Sequence, residues 1–319
     1  MTNILLTGGA GFIGSHLAER LVRDGHHLLV VDDLNDFYSP AVKRNNLEAI
    51  RQTGSFEFVE VDICDRERLE TLFSRFHPES VIHLAARAGV RPSLEQPLLY
   101  ERVNVFGTVL LLELSRKYAA GQFVFASSSS IYGTTSKTPF SEEEANPYPI
   151  SPYGVTKLAG EKLCYCYAQL YKLPAVCLRF FTVYGPRQRP DLAIHKFASL
   201  IEQGQEIPLF GDGNSLRDYT YIEDIIEGIV AALRLKSSFE IFNLGNSHPI
   251  SLLEMVKLLE TKMRKSAKIR FLDNQPGDMP FTHADLAKAK RLLGFVPKVP
   301  FETGIEQFVE WFRKTRIIG

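Results

Sequence analysis

Short runs of β-branched and other apolar residues alternate along this chain with longer segments whose apolar residues recur at helical spacing. The runs are almost continuously hydrophobic, which is typical of strands buried on both faces of a sheet. Strands that alternate with helices in this way indicate a parallel sheet covered by helices. The predicted strands are Asn3–Leu6, His27–Val31, Phe56–Val61, Ser80–Leu84, Gln122–Ala126, Ala175–Phe180 and Ile241–Leu244.

The alternation stops after Phe181, where prolines and a glycine turn interrupt the pattern. Helical spacing resumes at Ile222–Leu235, and Ile241–Leu244 is predicted to return to the main sheet. We therefore expect an α/β protein with a doubly wound parallel sheet and a smaller, discontinuous substrate-binding domain. The predicted division places 1–181 and 221–249 in the sheet domain, and 182–220 and 250–319 in the smaller domain.

Composition and charge exclude several classes of protein. Lys plus Arg equals Asp plus Glu, at 37 each in 319 residues, so no excess charge favours a nucleic acid or an anionic membrane as partner. No apolar run approaches the roughly 18 residues of a membrane span, and we expect no cleavable leader. The four cysteines form no C-x-x-C pair, which indicates buried thiols in a reducing compartment and no metal site. We expect a cytoplasmic protein.

A glycine-rich turn joins the first predicted strand to a helix. Gly8, Gly11 and Gly14 have a spacing that lets backbone N–H groups approach a pyrophosphate at a helix N-terminus. Asp32 and Asp33 end the second strand, where a carboxylate accepts hydrogen bonds from the adenosine ribose and repels a 2′-phosphate. A glycine turn alone is a common connection, but the combination predicts a Rossmann-type domain that prefers NAD to NADP.

Other cofactor contacts are expected beside this turn and where the next strands end, because parallel strands place their carboxyl ends at one edge of the sheet. An acidic side chain there is suited to the adenine edge, and small side chains leave room for phosphates and ribose. These predicted contacts are Phe12 and Ile13 in the turn, Asp62 and Ile63 after the third strand, and Ala85 and Ala86 after the fourth.

Tyr153 and Lys157 form a Y-x-x-x-K motif on a predicted helix, so the two side chains share a face. A lysine beside a tyrosine favours the phenolate, and a nearby positive nicotinamide should act in the same way. We expect the two charges to lower the Tyr153 pKa enough to make a base usable near neutral pH. The motif often occurs by chance on exposed helices. Here the serine run Ser127–Ser130 ends the fifth strand, where a hydroxyl can bind a sugar and relay its proton to Tyr153.

In combination and order, these motifs resemble the extended short-chain dehydrogenase/reductases, notably the nucleotide-sugar epimerases. Phe180–Pro186 and Arg217–Thr220 extend the resemblance over essentially the whole chain. It implies that Ser128 is the catalytic hydroxyl, and that Asn104 and Lys157 contact the cofactor. By the same resemblance and by its charge, Arg217 is the expected contact of the UDP diphosphate.

The members of this family share oxidation at C4 of the sugar and differ in the chemistry after that step. The resembling 4,6-dehydratases carry an Asp-Glu pair after the catalytic hydroxyl, and Ser129 and Ser130 occupy those places here, so dehydration is disfavoured. The segments His83–Arg91 and Gln275–Asp278 resemble those of the UDP-glucuronate 4-epimerases. The UDP-galactose epimerases tend to have an arginine where Gln275 stands.

A glucuronate site must neutralise the carboxylate at C6 of the sugar. Thr182 and Arg189 are predicted to bind it, because a hydroxyl and a guanidinium form directional hydrogen bonds with a carboxylate. The alternative is that Arg187 and Arg189 contact only phosphate or solvent. The full set of expected substrate contacts is Arg87, Ser128, Ser129, Thr182, Arg189, Arg217 and Asp278.

These inferences predict an NAD-dependent isomerase that converts UDP-glucuronate to UDP-galacturonate by transient oxidation at C4. The alternatives are a UDP-glucose or UDP-N-acetylglucosamine 4-epimerase, a UDP-glucuronate decarboxylase, and a non-catalytic NAD sensor or scaffold. The helices at about 98–117 and 154–171 are apolar on more than one face, which favours a homodimer. No metal, nucleic acid or membrane partner is expected.

Overall fold

A computed structural model of the protein describes residues 1–134, 137–144, 147–273 and 279–317. Its strands are, in chain order, β1 (Asn3–Thr7), β2 (His27–Asp32), β3 (Glu57–Glu60), β4 (Ser80–His83), β5 (Gln122–Ser128), β6 (Ala175–Phe180), β7 (Thr182–Tyr184), β8 (Glu206–Phe210), β9 (Leu216–Tyr221), β10 (Phe239–Leu244), β11 (Pro249–Ser251) and β12 (Lys268–Leu272).

The helices surround the strands and are named in the same way. They are α1 (Phe12–Arg23), α2 (Pro40–Thr53), α3 (Arg66–Phe76), α4 (Val90–Glu95), α5 (Pro97–Glu101), α6 (Gly107–Lys117), α7 (Pro152–Tyr171), α8 (Ala193–Glu202), α9 (Ile222–Arg234), α10 (Leu252–Met263), α11 (Ala287–Leu293) and α12 (Phe301–Ile317), with a π-helical turn at Arg102–Phe106 and a 3₁₀ turn at Ser129–Ile131.

The main sheet is parallel throughout and has the order β10-β6-β5-β4-β1-β2-β3. All seven predicted strands belong to it, so the predicted α/β, Rossmann-type sheet is confirmed. The order reverses beside β1, because the chain lays β2 and β3 on one side and returns to place β4 on the other. A crevice at the carboxyl ends of strands on either side of such a reversal is where open α/β sheets bind ligands.

Each face of the sheet carries its own hydrophobic core, because successive strand residues point to opposite faces. In β1, Ile4 and Leu6 pack into the first core with helix residues such as Leu17 of α1. Leu5 points the other way, into the second core with Leu111 of α6. Both faces are covered, which explains why the strands are hydrophobic without alternation.

Local capping fixes where the site-bearing helices start. Ser151 precedes α7 and its hydroxyl accepts the Gly154 N–H at 3.1 Å, while Pro152 occupies the first turn, where no N–H partner is needed. Asp65 caps α3 in the same way, by accepting the Arg68 N–H at 3.1 Å. The predicted catalytic helix therefore begins just before Tyr153.

Two small sheets lie outside the main one. One has the order β11-β9-β7, and the other pairs β12 with β8. The sequence pattern did not predict these strands, because they lack the continuous apolar runs of the main sheet and lie in or beside segments rich in proline and glycine turns. They fall within or next to the ranges expected for a second domain, and that two-domain division stays a prediction. In the described ranges, no helix has both the length and the apolar character to cross a bilayer.

Candidate active site

A cavity of about 450 Å³ opens at the carboxyl ends of the central strands. That volume lies in the range of small-molecule sites. The cavity brings together most of the residues predicted from the sequence. The predicted residues that line it are Gly8, Gly11, Phe12, Ile13, Gly14, Asp32, Asp33, Asp62, Ile63, Ala85, Ala86, Arg87, Ser128, Ser129, Tyr153, Lys157, Thr182 and Arg189.

The glycine turn leaves no room for side chains. A Cβ at Gly14 would lie 2.1 Å from the Gly8 carbonyl oxygen, and a Cβ at Gly8 would lie 2.6 Å from the Ala85 nitrogen. Gly8 also has a φ of +72°, which favours glycine. The turn and the N-terminus of α1 therefore present bare backbone to the cavity, as a pyrophosphate site requires.

Asp32 is buried at the end of β2. Its carboxylate fixes the backbone of the glycine turn and the backbone that follows β2. Its carboxylate accepts the Ala10 N–H at 3.2 Å and the Leu34 N–H at 3.0 Å, and the Lys43 Nζ lies 3.8 Å away. Burial raises the pKa of Asp32, and the charge of Lys43 opposes that shift. Asp33 accepts the Asn35 N–H at 3.1 Å.

Tyr153 lies in the first turn of α7 and is half-buried at the cavity wall. Burial raises its pKa, while a hydrogen bond with Ser128 and the positive charge of Arg189 lower it. The Lys157 Nζ donates to the Ala126 carbonyl oxygen at 2.7 Å, and burial lowers the Lys157 pKa to about 8. Among the chain's own groups, burial of the phenol has the largest effect on the Tyr153 pKa. The predicted lowering by Lys157 together with the nicotinamide stays a prediction.

All four serines of the run Ser127–Ser130 line the cavity, and two of their hydroxyls have partners within the chain. The Ser128 hydroxyl accepts the Ser130 N–H at 3.1 Å and is bonded to Tyr153. Ser127 donates to Glu161 of α7, which in turn forms a buried ion pair with Arg179 of β6 at 2.8 Å. The strand end that carries Ser128 is therefore tied to the catalytic helix.

Asn104 lies one layer behind the cavity wall, in the π-helical turn. Its side-chain oxygen accepts the Arg87 N–H at 2.8 Å, and its nitrogen donates to the Arg87 carbonyl oxygen and to the Thr156 hydroxyl, each at 3.0 Å. The structure thus shows Asn104 shaping the Arg87 backbone. A contact of Asn104 with a cofactor stays a prediction.

The two arginines of the Pro186–Pro190 segment have different surroundings. Arg187 points to α1, where it bonds His16 at 2.9 Å and Glu19 at 2.8 Å. Arg189 lines the cavity near Tyr153 and forms two hydrogen bonds with the Asp191 carboxylate. Of these two arginines, Arg189 is therefore the one placed to meet a ligand in the cavity.

Arg87, another predicted contact, lines the cavity. Arg87 reaches Asn35 with its Nη1 at 3.4 Å. Arg217 is in β9, outside the cavity lining, and its Nη1 donates to the Leu216 carbonyl oxygen at 3.0 Å. Asp278 and Gln275 fall outside the described residues. The roles predicted for Arg217 and Asp278 stay predictions.

Sequence reasoning missed the loop between β2 and α2. Phe37 lies under the Arg189 guanidinium, with 5.3 Å from the ring centre to Cζ, and Tyr38 lies under Lys43 at 5.1 Å. Both aromatic residues line the cavity. The available signal was their position directly after the Asp32–Asp33 pair, since loops at the carboxyl ends of the strands form the site in such sheets.

Comparisons with known proteins agree with this geometry. The family model described as GDP-mannose 4,6 dehydratase matches residues 5–308. The UDP-glucuronate 4-epimerase of Thermodesulfobacterium geofontis is 42% identical over 311 residues, which cover 97% of this chain and 96% of that protein. The UDP-glucuronic acid 4-epimerase from Bacillus cereus, solved in complex with UDP-glucuronic acid and NAD, has a TM-score of 0.92 at 38% identity and covers 98% and 99% of the two chains.

A UDP-glucose 4-epimerase from Thermotoga maritima, solved with UDP-glucose, is also similar. It has a TM-score of 0.91 at 36% identity and covers 98% of this chain and 99% of its own. The fold is thus shared by structures that hold different sugars.

Proposed function

The chain belongs to the family described as GDP-mannose 4,6 dehydratase, a group of extended short-chain dehydrogenase/reductases, and we propose that it is an NAD-dependent UDP-glucuronate 4-epimerase. One observation carries the proposal: Tyr153, Ser128, Thr182 and Arg189 line the same cavity as the glycine turn. The cavity thereby combines a site suited to a dinucleotide, a pair of residues suited to proton transfer and a cation suited to binding a carboxylate. Ser129 and Ser130 supply neither the acid nor the base that a dehydratase needs next to its catalytic hydroxyl.

The residues present fit NAD. The bare backbone of the Gly8–Gly14 turn suits its pyrophosphate, and the carboxylate of Asp32 suits a ribose diol without a 2′-phosphate. NAD, when bound, supplies the oxidising power for C4 of the sugar and is regenerated in each cycle. Lys157 keeps the wall of this region in place through its bond to the Ala126 carbonyl oxygen.

Proton transfer at the O4 hydroxyl is assigned to Tyr153 and Ser128. The Ser128 hydroxyl bonds to the Tyr153 oxygen and stabilises the phenolate that forms when Tyr153 loses its proton. The charge of Arg189 acts in the same direction. These two groups offset part of the free energy that burial costs the phenolate. Tyr153 can therefore take the O4 proton and return it after the oxidised sugar has rotated.

Arg189 and Thr182 are proposed to hold the C6 carboxylate. Oxidation at C4 turns the sugar into a β-keto acid, which loses carbon dioxide when the C5–C6 bond stands perpendicular to the carbonyl plane. A carboxylate held by a guanidinium and a hydroxyl before and after the sugar turns is kept out of that geometry in both positions. Binding of the carboxylate by Arg189 and Thr182 therefore both recognises the substrate and protects it from decarboxylation.

The test is to incubate the purified enzyme with UDP-glucuronate and, separately, with UDP-glucose, and to follow the C4 configuration by proton NMR without added reductant. We expect UDP-galacturonate from the first reaction and little product from the second. UDP-galactose from the second alone would contradict the role of Arg189, and a pentose product would identify a decarboxylase.

We also propose that the protein is a cytoplasmic homodimer. The neighbouring helices α5 and α7 leave large apolar side chains exposed, including Leu98 (82%) and Leu170 (65%). A second copy of the chain would cover them. The four cysteines are free, as is usual in a reducing compartment. Sedimentation equilibrium should give a dimer that Leu170→Glu weakens; a monomer at micromolar concentration would exclude it.

A further inference from the structure

Arg189 is already paired, and the way it is paired leaves one edge of its guanidinium available to a ligand. Its Nε donates to one Asp191 oxygen at 2.9 Å and its Nη2 donates to the other at 2.8 Å. A guanidinium has five N–H donors, so this fork uses two of them on the Nε–Nη2 edge. The edge between Nη1 and Nη2 can still donate to a carboxylate in the same bidentate manner.

The segment that carries this pair is anchored by other residues. Arg187 is bonded to His16 and Glu19 of α1. The buried Gln188 side chain donates to the Val183 carbonyl oxygen and accepts the His195 N–H, each at 3.2 Å. The fold of this segment therefore does not depend on the Asp191 carboxylate, which is 39% exposed.

The Arg189–Asp191 pair sets the charge of the part of the cavity that is proposed to hold the sugar. Arg189 is itself only 17% exposed and acts on the pKa of Tyr153. Without Asp191, a buried, uncompensated cation would face the ligand and bind a sugar carboxylate more strongly. Strong binding of the substrate in its ground state slows a reaction whose keto intermediate must release the contacts of its carboxylate before the sugar can rotate.

We propose that Asp191 is a positioning residue that holds the Nε–Nη2 edge of Arg189 and moderates its charge, so that the substrate carboxylate is bound on the other edge but is still released for the turn of the sugar. The inference rests on the proposed epimerase function. It assigns Asp191 an effect on the balance between binding and turnover, and none on the folding of the chain.

The test compares Asp191→Asn, which keeps the shape and removes the charge, with the wild-type enzyme and with Asp24→Asn. Asp24 is a matched control, because it pairs with the Nε of Arg20 at 3.1 Å outside the cavity. Dissociation constants for UDP-glucuronate and UDP-glucose come from calorimetry on the NAD-loaded proteins, and kcat comes from NMR.

For Asp191→Asn we expect the Kd of UDP-glucuronate to fall about three- to fivefold and kcat to fall by a similar factor, as removal of a partly exposed charge partner allows. The Kd of UDP-glucose should not fall, because it has no carboxylate. Asp191→Glu should return both constants towards wild type, and Asp24→Asn should change neither.

Two results overturn the inference: unchanged constants in Asp191→Asn, or weaker binding of UDP-glucuronate by that variant. Wild-type turnover, measured in the same series, separates this failure from the other one. If the wild-type enzyme does not epimerise UDP-glucuronate, the proposed function itself fails. If it does, and Asp191→Asn behaves like Asp24→Asn, only the role of Asp191 fails.

Discussion

The two ends of the cavity are built in different ways. The cofactor end consists largely of backbone at regular strand-to-helix junctions, such as the Gly8–Gly14 turn, and the carboxylate of Asp32 is tied to that backbone. The sugar end consists of side chains from distant parts of the chain, with Arg189 placed over Phe37 and paired with Asp191. We therefore expect the dinucleotide to be bound by the geometry of the fold, and the sugar, which differs between related enzymes, by replaceable side chains.

This difference separates binding of NAD from choice of sugar. Changes at the cofactor end should alter NAD affinity whatever the sugar. Changes at the sugar end should alter the preference between sugars and leave NAD affinity alone. Tyr153 lies where the two ends meet, so its loss should stop the reaction with either sugar.

The largest effect is expected for Tyr153→Phe. Loss of the phenol hydroxyl removes the group that takes the O4 proton, and kcat should fall by about 10² to 10⁴, which is the usual contribution of a general base. NAD should still bind. Tyr165→Phe, on the exposed side of the same helix, is the matched control and should keep its activity. Near-normal turnover by Tyr153→Phe would remove it from the mechanism.

Arg189→Met should lower kcat/KM for UDP-glucuronate by roughly ten- to a hundredfold, the usual loss for a hydrogen bond to a charged group. It should change kcat/KM for UDP-glucose much less. Arg187→Met is the comparison, because the Arg187 guanidinium bonds to groups of α1 and its loss should affect thermal stability. Equal losses for both sugars in Arg189→Met would show that this arginine does not select the carboxylate.

Gly14→Ala should weaken NAD binding by about tenfold or more, since its Cβ would meet the Gly8 carbonyl oxygen at 2.1 Å and force the turn to move. Gly204→Ala is the control. Gly204 has a φ of +66° and no atom within 4 Å of the added Cβ, so stability should fall by about 1–2 kcal/mol while NAD affinity stays the same. Calorimetric titration with NAD distinguishes the two variants.

The smallest expected effect concerns acid stability at the cofactor end. His83 is buried between the hydroxyls of Thr7 and Thr108, and burial lowers its pKa from 6.5 to about 3. The unfolded chain therefore binds the proton first as the pH falls, and acid favours unfolding. Between pH 6.5 and 5.5, His83 should cost about 1 kcal/mol of stability. Denaturation of His83→Gln should lack that part of the pH dependence.

The residues predicted for the cofactor end, apart from Asn104, line the cavity, and the sequence identified them because their signals are local. Gly8, Gly11, Gly14 and Asp32 are close along the chain, and the same spacing produces the same turn in any such fold. Tyr153 and Lys157 were found for the same reason, since residues four apart share a helix face. All the strands of the main sheet followed from hydrophobic runs.

The sugar end was predicted only in part because its geometry depends on contacts between remote segments. Phe37 and Arg189 meet only after folding, and no spacing rule connects them. The effect of burial on the Tyr153 pKa was missed for a related reason, because burial is a property of the packed structure. The choice between Arg187 and Arg189 also required the fold, which directs one to α1 and the other to the cavity.

The most direct test of the proposed mechanism tracks the hydrogen at C4. UDP-glucuronate with deuterium at C4 should give UDP-galacturonate that retains the deuterium at C4, with no exchange from solvent, because the same hydrogen leaves and returns within one closed site. Loss of the label to water would contradict oxidation and reduction at C4 as the central step, and its appearance in a decarboxylated pentose would contradict the assignment as an epimerase.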